Sequence, residues 1–128
     1  MLGKNMPLET PILFAATTDA TRSRTFYEKM LGLKFASEDD FALVFSIGAL
    51  MLRVQKVPSK PTIGYTVLGW MVVDIEKEIQ RLSKAGVRFS KYEGLGQDPN
   101  GVWHSPSGAK IAWFTDPDEN ILSLTQPG

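Results

Sequence analysis

The chain has 128 residues, 43% of them hydrophobic and 22% charged, a composition that is typical of globular proteins and excludes the disordered and fibrous classes. Fourteen basic residues balance fourteen acidic ones, so the sequence lacks the positive charge of a nucleic-acid-binding protein. No apolar run approaches the ~20 residues that span a bilayer. The absence of cysteine excludes disulfides and thiolate metal sites. The N-terminal residues lack the apolar stretch of a signal peptide, so we expect a cytoplasmic location.

The first half of the sequence reads as one strand, one helix and three more strands. A buried strand at residues 12–18 precedes Asp19, whose carboxylate suits the N-cap of a helix. The helix has one apolar face and ends at Gly32, a residue type that favours the left-handed conformation of a helix stop. Three strands are predicted at residues 33–37, 41–46 and 49–55. A proline-containing connection at residues 58–64 follows them.

The same order of elements repeats in the second half. A strand at residues 66–73 precedes a second N-cap, Asp74, and a helix that ends at Gly86. Three strands are then predicted at residues 87–92, 108–114 and 120–125. An extra loop at residues 93–107 contains Trp103 and the only histidine.

The repeat predicts the fold class. The two N-caps lie 55 residues apart and the two stop glycines 54 apart, which is typical of a duplicated unit. We therefore predict one α+β domain over residues 1–128, built from two tandem βαβββ units at about residues 10–57 and 65–126. Side by side, the units are expected to form a curved eight-stranded sheet with helices on its convex face and a cleft on its concave face.

Two segments resemble a known superfamily. The sequence FYEKMLGL at residues 26–33 resembles the FYxxxLG helix end of the vicinal oxygen chelate superfamily, and DPDEN at residues 116–120 resembles its DPDGN turn. That superfamily contains glyoxalase I, extradiol dioxygenases and bleomycin-resistance proteins, and the likeness extends from residue 12 to 126. Glu119 replaces the usual turn glycine, so Asn120 is expected to supply any left-handed residue.

The resemblance also implies where a metal would lie. In metal-using members, four cleft side chains bind a divalent ion. The matching positions here are Ile12, Leu68, Ser123 and Arg53, or Leu52 if the register slips by one residue. None of these side chains is a metal ligand. The sequence thus resembles the metal-free branch, whose members sequester a ligand without transforming it, and we expect no metal and no cofactor.

Strand alternation extends this cleft to further candidate residues. The predicted ligand-binding residues are Phe14, Met51, Arg53, Trp70, Trp113, Ser123 and His104. Phe14, Trp70 and Trp113 could equally belong to the core or to a subunit interface. Arg53 either anchors an anionic ligand in the cleft or lies at an exposed sheet edge. If it is buried, it needs a carboxylate, either from the ligand or from the protein, where the candidates are Glu93, Asp98 and Glu119.

Three functions fit these residues. The leading hypothesis is metal-independent binding of a small, apolar or aromatic molecule, in a resistance or sequestration role. The first alternative is an isomerase or lyase that uses His104 or Glu93 as an acid–base group. The second is a degenerate assembly module whose cleft is closed by Trp70 packed on Trp113. The resemblance also implies a homodimer, by side-by-side packing or by exchange of halves at the connection; neither a nucleic acid nor a membrane is an expected partner.

Overall fold

The computed structural model describes residues 8–128. The first half contains β1 (Ile12–Thr17), α1 (Ala20–Arg24), which continues directly into a π-helical turn (Thr25–Met30), and then β2 (Lys34–Glu38), β3 (Ala42–Ile47) and β4 (Leu50–Lys56). The second half contains β5 (Thr66–Met71), α2 (Ile75–Lys84), β6 (Trp103–His104), β7 (Lys110–Thr115) and β8 (Ile121–Gln126). The predicted α+β fold of two tandem βαβββ units is confirmed.

The eight strands are divided between two four-stranded sheets with the same topology. Their orders are β1-β4-β3-β2 and β5-β8-β7-β6. In each half the first and last strands are parallel and the other pairs are antiparallel. The edge strands β1 and β5 lie beside each other, so the two halves meet along these edges. No helix within residues 8–128 is long and apolar enough to cross a membrane.

Both helices begin and end where the sequence indicates. The Asp19 side chain accepts a hydrogen bond from the backbone N–H of Arg22, and Asp74 accepts one from Lys77 in the same way. Gly32 and Gly86 have φ values of 80° and 104°, which residues with a Cβ adopt only with strain. These four residues therefore set the length of each helix.

One core lies on the helix-bearing sides of both sheets. Tyr27 contacts Phe45 of the first sheet, with ring centroids 5.6 Å apart, and Phe26 contacts Phe114 of the second sheet at 6.5 Å. All four rings are buried. The first helix thus packs against both halves, and we call this side of each sheet its helix face and the opposite side its open face.

The turn at residues 116–120 joins the halves through a buried polar network. The Asp116 carboxylate accepts hydrogen bonds from the backbone N–H groups of Asp118 and Asn120. The Asn120 side chain donates to the backbone carbonyl of Ala16, at the edge of the first sheet. Asp118 accepts from the backbone and hydroxyl of Thr18. Burial would make each of these polar groups costly if it lacked a partner, so the network ties the second half to the first.

Glu119, rather than Asn120, is the left-handed residue of this turn, with a φ value of 66°. The expectation for Asn120 was wrong because its side chain is needed to bridge Asp116 and the first sheet. Glu119 is exposed and its carboxylate pairs with Lys60 of the connection.

The predicted strand at residues 87–92 is wrong, apart from a single bridge between Phe89 and Phe114. The edge strand is instead β6, which lies inside the predicted loop and pairs with the start of β7. Residues 90–102, here called the edge loop, leave the sheet, and their backbone is bridged by Gln97. Its side chain accepts from the N–H of Tyr92 at 2.7 Å and donates to the carbonyls of Ser90 and Gly101.

Candidate functional site

The open face of the first sheet gathers three predicted site residues. Phe14 of β1 lies opposite Arg53 of β4, and Ile12 lies opposite Met51. Because side chains alternate along a strand, all four point away from the helix. Phe14 is 48% exposed and Arg53 is half-buried. The structure thus brings Phe14, Met51 and Arg53 together on one apolar surface that carries one cation.

Arg53 has no ion pair with any carboxylate in residues 8–128. Of the predicted partners, Glu119 pairs with Lys60, and Asp98 lies near His104 instead. The pKa of Asp39 is lowered mainly by hydrogen bonds from backbone N–H groups, and the positive charge of Arg53 lowers it further by a smaller amount. Because Arg53 is half-buried and has no ion pair within residues 8–128, its guanidinium can still bind an anion.

The open face of the second sheet carries an aromatic cluster. Trp113 of β7 lies opposite Ser123 of β8, as predicted. The Trp113 ring contacts the rings of Trp103 and Tyr92 at centroid distances of 6.2 and 5.7 Å. We call Tyr92, Trp103 and Trp113 the aromatic cluster. Such rings offer flat, weakly polar surfaces on which another ring can stack.

Sequence reasoning did not assign Tyr92 and Trp103 to the site. Tyr92 lies near the start of the edge loop and Trp103 directly follows its end, and the fold of this loop brings both rings to Trp113. The available signal was the dipeptide Val102-Trp103, two residue types that favour strands, but the glycines on both sides of it indicated a loop.

Leu68 and Trp70 do not face this surface, so their predicted orientation was wrong. Leu68 is only 6% exposed and lies opposite the buried Leu122, while Trp70 lies opposite Leu124. Both therefore point to the helix face. The residue beside Ser123 on the open face is Gly69. A bulge between residues 66 and 68 shifts the register of β5, and the hydrophobic pattern alone did not locate it.

The same shift separates Trp70 from Trp113. The two rings lie on opposite faces of one sheet, because Trp70 aligns with Leu124 and Trp113 aligns with Ser123. The packing of Trp70 on Trp113 that the assembly-module alternative required is therefore absent.

His104 lies on the other face of β6 from Trp103, opposite Lys110. Its side chain is 60% exposed, and its Nε2 lies 3.8 Å from a carboxylate oxygen of Asp98. The structure does not bring His104 to Arg53 or to Trp113. Glu93 is also exposed. These positions give the acid–base alternative no structural support.

A cavity of about 360 Å³ continues the open face of the second sheet beneath the connection between the halves. Its walls include Tyr92, Thr115 and Ile121 on one side and residues 60–63 of the connection on the other. The ion pair between Lys60 and Glu119 joins these two sides. The aromatic cluster thus borders a recess as well as an open surface.

Sequence comparison decides the family. The model of the glyoxalase/bleomycin resistance protein/dioxygenase superfamily matches residues 11–124. The chain belongs to this superfamily. Among curated proteins, none matches at a significant level.

Several solved structures share the fold over nearly the whole chain. A glyoxalase family protein from Enterococcus faecalis has 22% identity and a TM-score of 0.72, covering 94% of this chain and 99% of its own. The bleomycin resistance determinant encoded on the transposon Tn5 has 18% identity and a TM-score of 0.72, with 93% and 98% covered. TnmS3, an antibiotic binding protein from Streptomyces sp. CB03234, has 20% identity and a TM-score of 0.69, with 94% and 96% covered.

The four positions at which superfamily members hold a metal do not fit one here. Ile12 and Arg53 occupy the two positions of the first sheet, and Ser123 occupies that of β8. The β5 position is Leu68, which points to the core, or its open-face neighbour Gly69. Divalent ions need carboxylate, imidazole or thiolate ligands, and a guanidinium repels them. Residues 8–128 also contain no group of three or more acidic, histidine or cysteine side chains arranged to hold a metal.

Proposed function

We propose that the protein binds a small molecule with a flat aromatic or apolar body and an anionic group, without a metal, in a sequestration or resistance role. The observation that carries this proposal is Arg53, a half-buried cation without an ion pair within residues 8–128, in register with Phe14 on an apolar face. A guanidinium in this setting binds carboxylate, sulfonate or phosphate groups with two parallel hydrogen bonds.

The aromatic cluster supports the same ligand class. Three rings in contact present stacking surfaces, and the adjoining recess of about 360 Å³ has the size of a small-ligand pocket. Two proteins of similar structure, an antibiotic binding protein and a bleomycin resistance determinant, also support a binding role. The cytoplasmic location stays a prediction from the sequence.

The binding role is tested by thermal shift with a library of aromatic compounds that differ in charge. A ligand that binds only the folded state raises the melting temperature in proportion to the logarithm of its concentration. We expect anionic aromatic compounds to raise it and their neutral analogues to do so less. Arg53→Gln should weaken a hit about tenfold, which corresponds to one charge-assisted hydrogen-bond pair.

Lys84→Gln is the control, because Lys84 is an exposed cation of α2, on the helix side of the second sheet. Its affinity should equal that of the unsubstituted protein. If no anionic aromatic compound shifts the melting temperature, or if the two variants weaken binding equally, the proposal is wrong.

We further propose that the protein is a homodimer. Ile12, Phe14 and Met51 form an exposed apolar patch on the open face of the first sheet, and Met71 of the second half is 77% exposed. Apolar surface of this kind commonly marks an interface. Light scattering should give about twice the chain mass of 14.2 kDa. A monomeric mass at tens of micromolar would exclude a stable dimer.

A further inference from the structure

The charged side chains of the first sheet are divided unequally between its two faces. Strands β1–β4 contain four such residues, Lys34, Glu38, Arg53 and Lys56. Lys56 and Glu38 lie on the helix face and form an ion pair, with a nitrogen-to-oxygen distance of 2.7 Å. Lys34 and Arg53 lie on the open face. Within β1–β4, the open face therefore carries two positive charges and no negative one, whereas the helix face is neutral.

Lys34 lies at the outer edge of the sheet. The next residue, Phe35, contacts Phe45 on the helix face, with ring centroids 5.7 Å apart, so Lys34 points to the open face. The register places Lys34 opposite Ser46, and Ser46 opposite Met51. Lys34 is exposed and has no ion pair with any residue in 8–128. Its ammonium group is thus a second cation available to a ligand on this face.

The two cations are close enough to bind one anion together. Lys34 and Arg53 are two strands apart and two residues out of register, which corresponds to about 10 Å across the sheet and about 7 Å along it. Their Cα atoms are therefore about 12 Å apart, a separation that two long side chains can close from both ends. Between them lie Val44, which is 8% exposed, and the half-buried Ser46, whose hydroxyl can donate a hydrogen bond.

The acids of the turn after β2, Asp39 and Asp40, do not neutralise this pair of cations. Lys34 lies five residues before Asp39, about 16 Å along the strand. This distance exceeds the Debye length of about 8 Å at physiological ionic strength, so the turn charges are screened from Lys34. The Asp39 carboxylate also accepts hydrogen bonds from two backbone N–H groups of its own turn. The Lys34 end of the open face therefore keeps its positive charge.

We propose that the anionic group bound on this face is a dianion, a phosphate monoester, held between Arg53 and Lys34. The phosphate would be the anionic group of the ligand proposed above, so this inference rests on that proposed function. A carboxylate or sulfonate carries one charge, whereas a phosphate monoester carries nearly two above its second pKa of about 6. Its terminal oxygens can accept two parallel hydrogen bonds from the guanidinium and another from the ammonium group. The aromatic body of the ligand then packs on Phe14, which is in register with Arg53.

The test uses three probes with the same ring system, 1-naphthyl phosphate, 1-naphthalenesulfonate and the neutral 1-naphthalenemethanol. Isothermal titration calorimetry measures their affinities at pH 8 and pH 5. At pH 8 the phosphate is a dianion, and we expect it to bind about two- to fivefold more tightly than the sulfonate, the size of one more ion pair at an exposed site. At pH 5 the phosphate is a monoanion, and the two affinities should be equal.

The sulfonate is the internal control for pH, because it carries one charge at both pH values. Lys34 and Arg53 stay protonated over this range. Asp39 stays ionised, since its pKa lies below its ordinary value. The affinity of the sulfonate should therefore be the same at pH 8 and pH 5.

Lys34→Gln should remove the preference for the dianion. It should weaken the phosphate probe about two- to fivefold at pH 8 and leave the sulfonate unchanged, whereas Arg53→Gln should weaken both about tenfold. Lys84→Gln is the matched control, because Lys84 is an exposed lysine of α2 on the helix side of the second sheet. Circular dichroism should show an unchanged fold in both lysine variants, since both residues are exposed.

Two results would overturn this inference while the proposed binding function still holds. One is equal binding of the phosphate and the sulfonate at pH 8. The other is an equal loss of phosphate affinity in Lys34→Gln and Lys84→Gln. If none of the three probes binds, the proposed function fails as well, so the two failures are distinguishable.

Discussion

The hydroxyl of Tyr27 donates a hydrogen bond of 2.5 Å to the carboxylate of Asp116, 89 residues further along the chain. This bond joins the two segments that carry the family resemblance, the helix end of the first half and the turn of the second. Burial raises the pKa of Tyr27 well above its ordinary value, so its proton stays in place for donation. Burial also raises the pKa of Asp116, against the opposing effect of the bonds from Tyr27 and Asn120.

Tyr27→Phe should destabilise the protein by about 2 kcal/mol at neutral pH, because a buried carboxylate loses one hydrogen bond. Urea unfolding followed by circular dichroism measures the change in the free energy of unfolding. Tyr65→Phe is the control, since the Tyr65 side chain is exposed, and it should change stability by less than about 0.5 kcal/mol. Equal effects of the two substitutions would contradict a structural role for the Tyr27 bond.

The loss in Tyr27→Phe should grow with pH. The folded pKa of Asp116 lies above its unfolded value of about 4, so its contribution to stability is present below pH 4 and is lost as the pH rises through the folded pKa. Removing the Tyr27 bond raises the folded pKa of Asp116 further, because that bond favours the ionised form. The destabilisation should therefore be smaller near pH 3.5 than at pH 7, and a constant difference would contradict this explanation.

Asp118→Asn should cost about 2 kcal/mol at neutral pH. Burial acts to raise the pKa of Asp118, but hydrogen bonds from Thr18 and Ser23 outweigh it and hold the pKa below its ordinary value. Its contribution to stability is thus complete above the unfolded pKa of about 4 and is lost as the pH falls through the lower folded pKa. Chemical unfolding at pH 7 and pH 3 should show a smaller difference at pH 3.

Asp40→Asn is the matched control for this substitution, because Asp40 is an exposed carboxylate in a turn of the first half. It should leave stability within about 0.5 kcal/mol of the unsubstituted protein at both pH values. A pH-independent loss in Asp118→Asn would mean that the lost contacts, rather than the charge, explain the effect.

Glu119→Gly should stabilise the protein by about 0.5–1 kcal/mol. A left-handed conformation costs a residue with a Cβ about 1–2 kcal/mol, and the greater flexibility of glycine in the unfolded chain offsets part of that gain. Thermal unfolding should show a melting temperature about 2 °C higher. Lys60→Ala removes the partner of Glu119 without changing the turn, so a similar gain in that variant would assign the effect to the ion pair instead.

Chelators should leave the melting temperature unchanged, and elemental analysis should find well under one zinc, nickel, iron or manganese per chain. The positions that correspond to the metal site hold Ile12, Arg53, Ser123 and an aliphatic residue or glycine, none of which is a ligand. One full equivalent of bound metal that is removed together with stability on chelation would contradict this assignment. The magnesium and calcium contents are measured in parallel as a control for weak, oxygen-only binding.

Local signals in the sequence were sufficient for both helices and for seven of the eight strands, all except β6. Asp19 and Gly32 mark the ends of the first helix through interactions within a few residues, and the second half repeats them. The face of β4 was also predictable, because it alternates regularly between buried and exposed residues, which places Arg53 on the open face.

Long-range geometry decided the features that the sequence did not predict. In β5 a bulge changes which residues face the core, and the apolar sequence around Leu68 fits either register. In the edge loop the side chain of Gln97 bridges three backbone groups of the loop itself, and no periodicity in the sequence indicates these contacts. Trp103 and Tyr92 therefore reach the candidate site through contacts that only the folded chain reveals.

The way in which the edge loop is held affects how its sequence can diverge during evolution. Its backbone is held mainly by Gln97 and Asp98, residues of the loop itself, and Val102 is its one side chain in the hydrophobic core. Changes at the exposed residues 93, 94 and 96 are therefore expected to alter the proposed binding site at little cost to foldability. Lineages with the same scaffold can in this way diverge in what they capture while the duplicated framework stays intact.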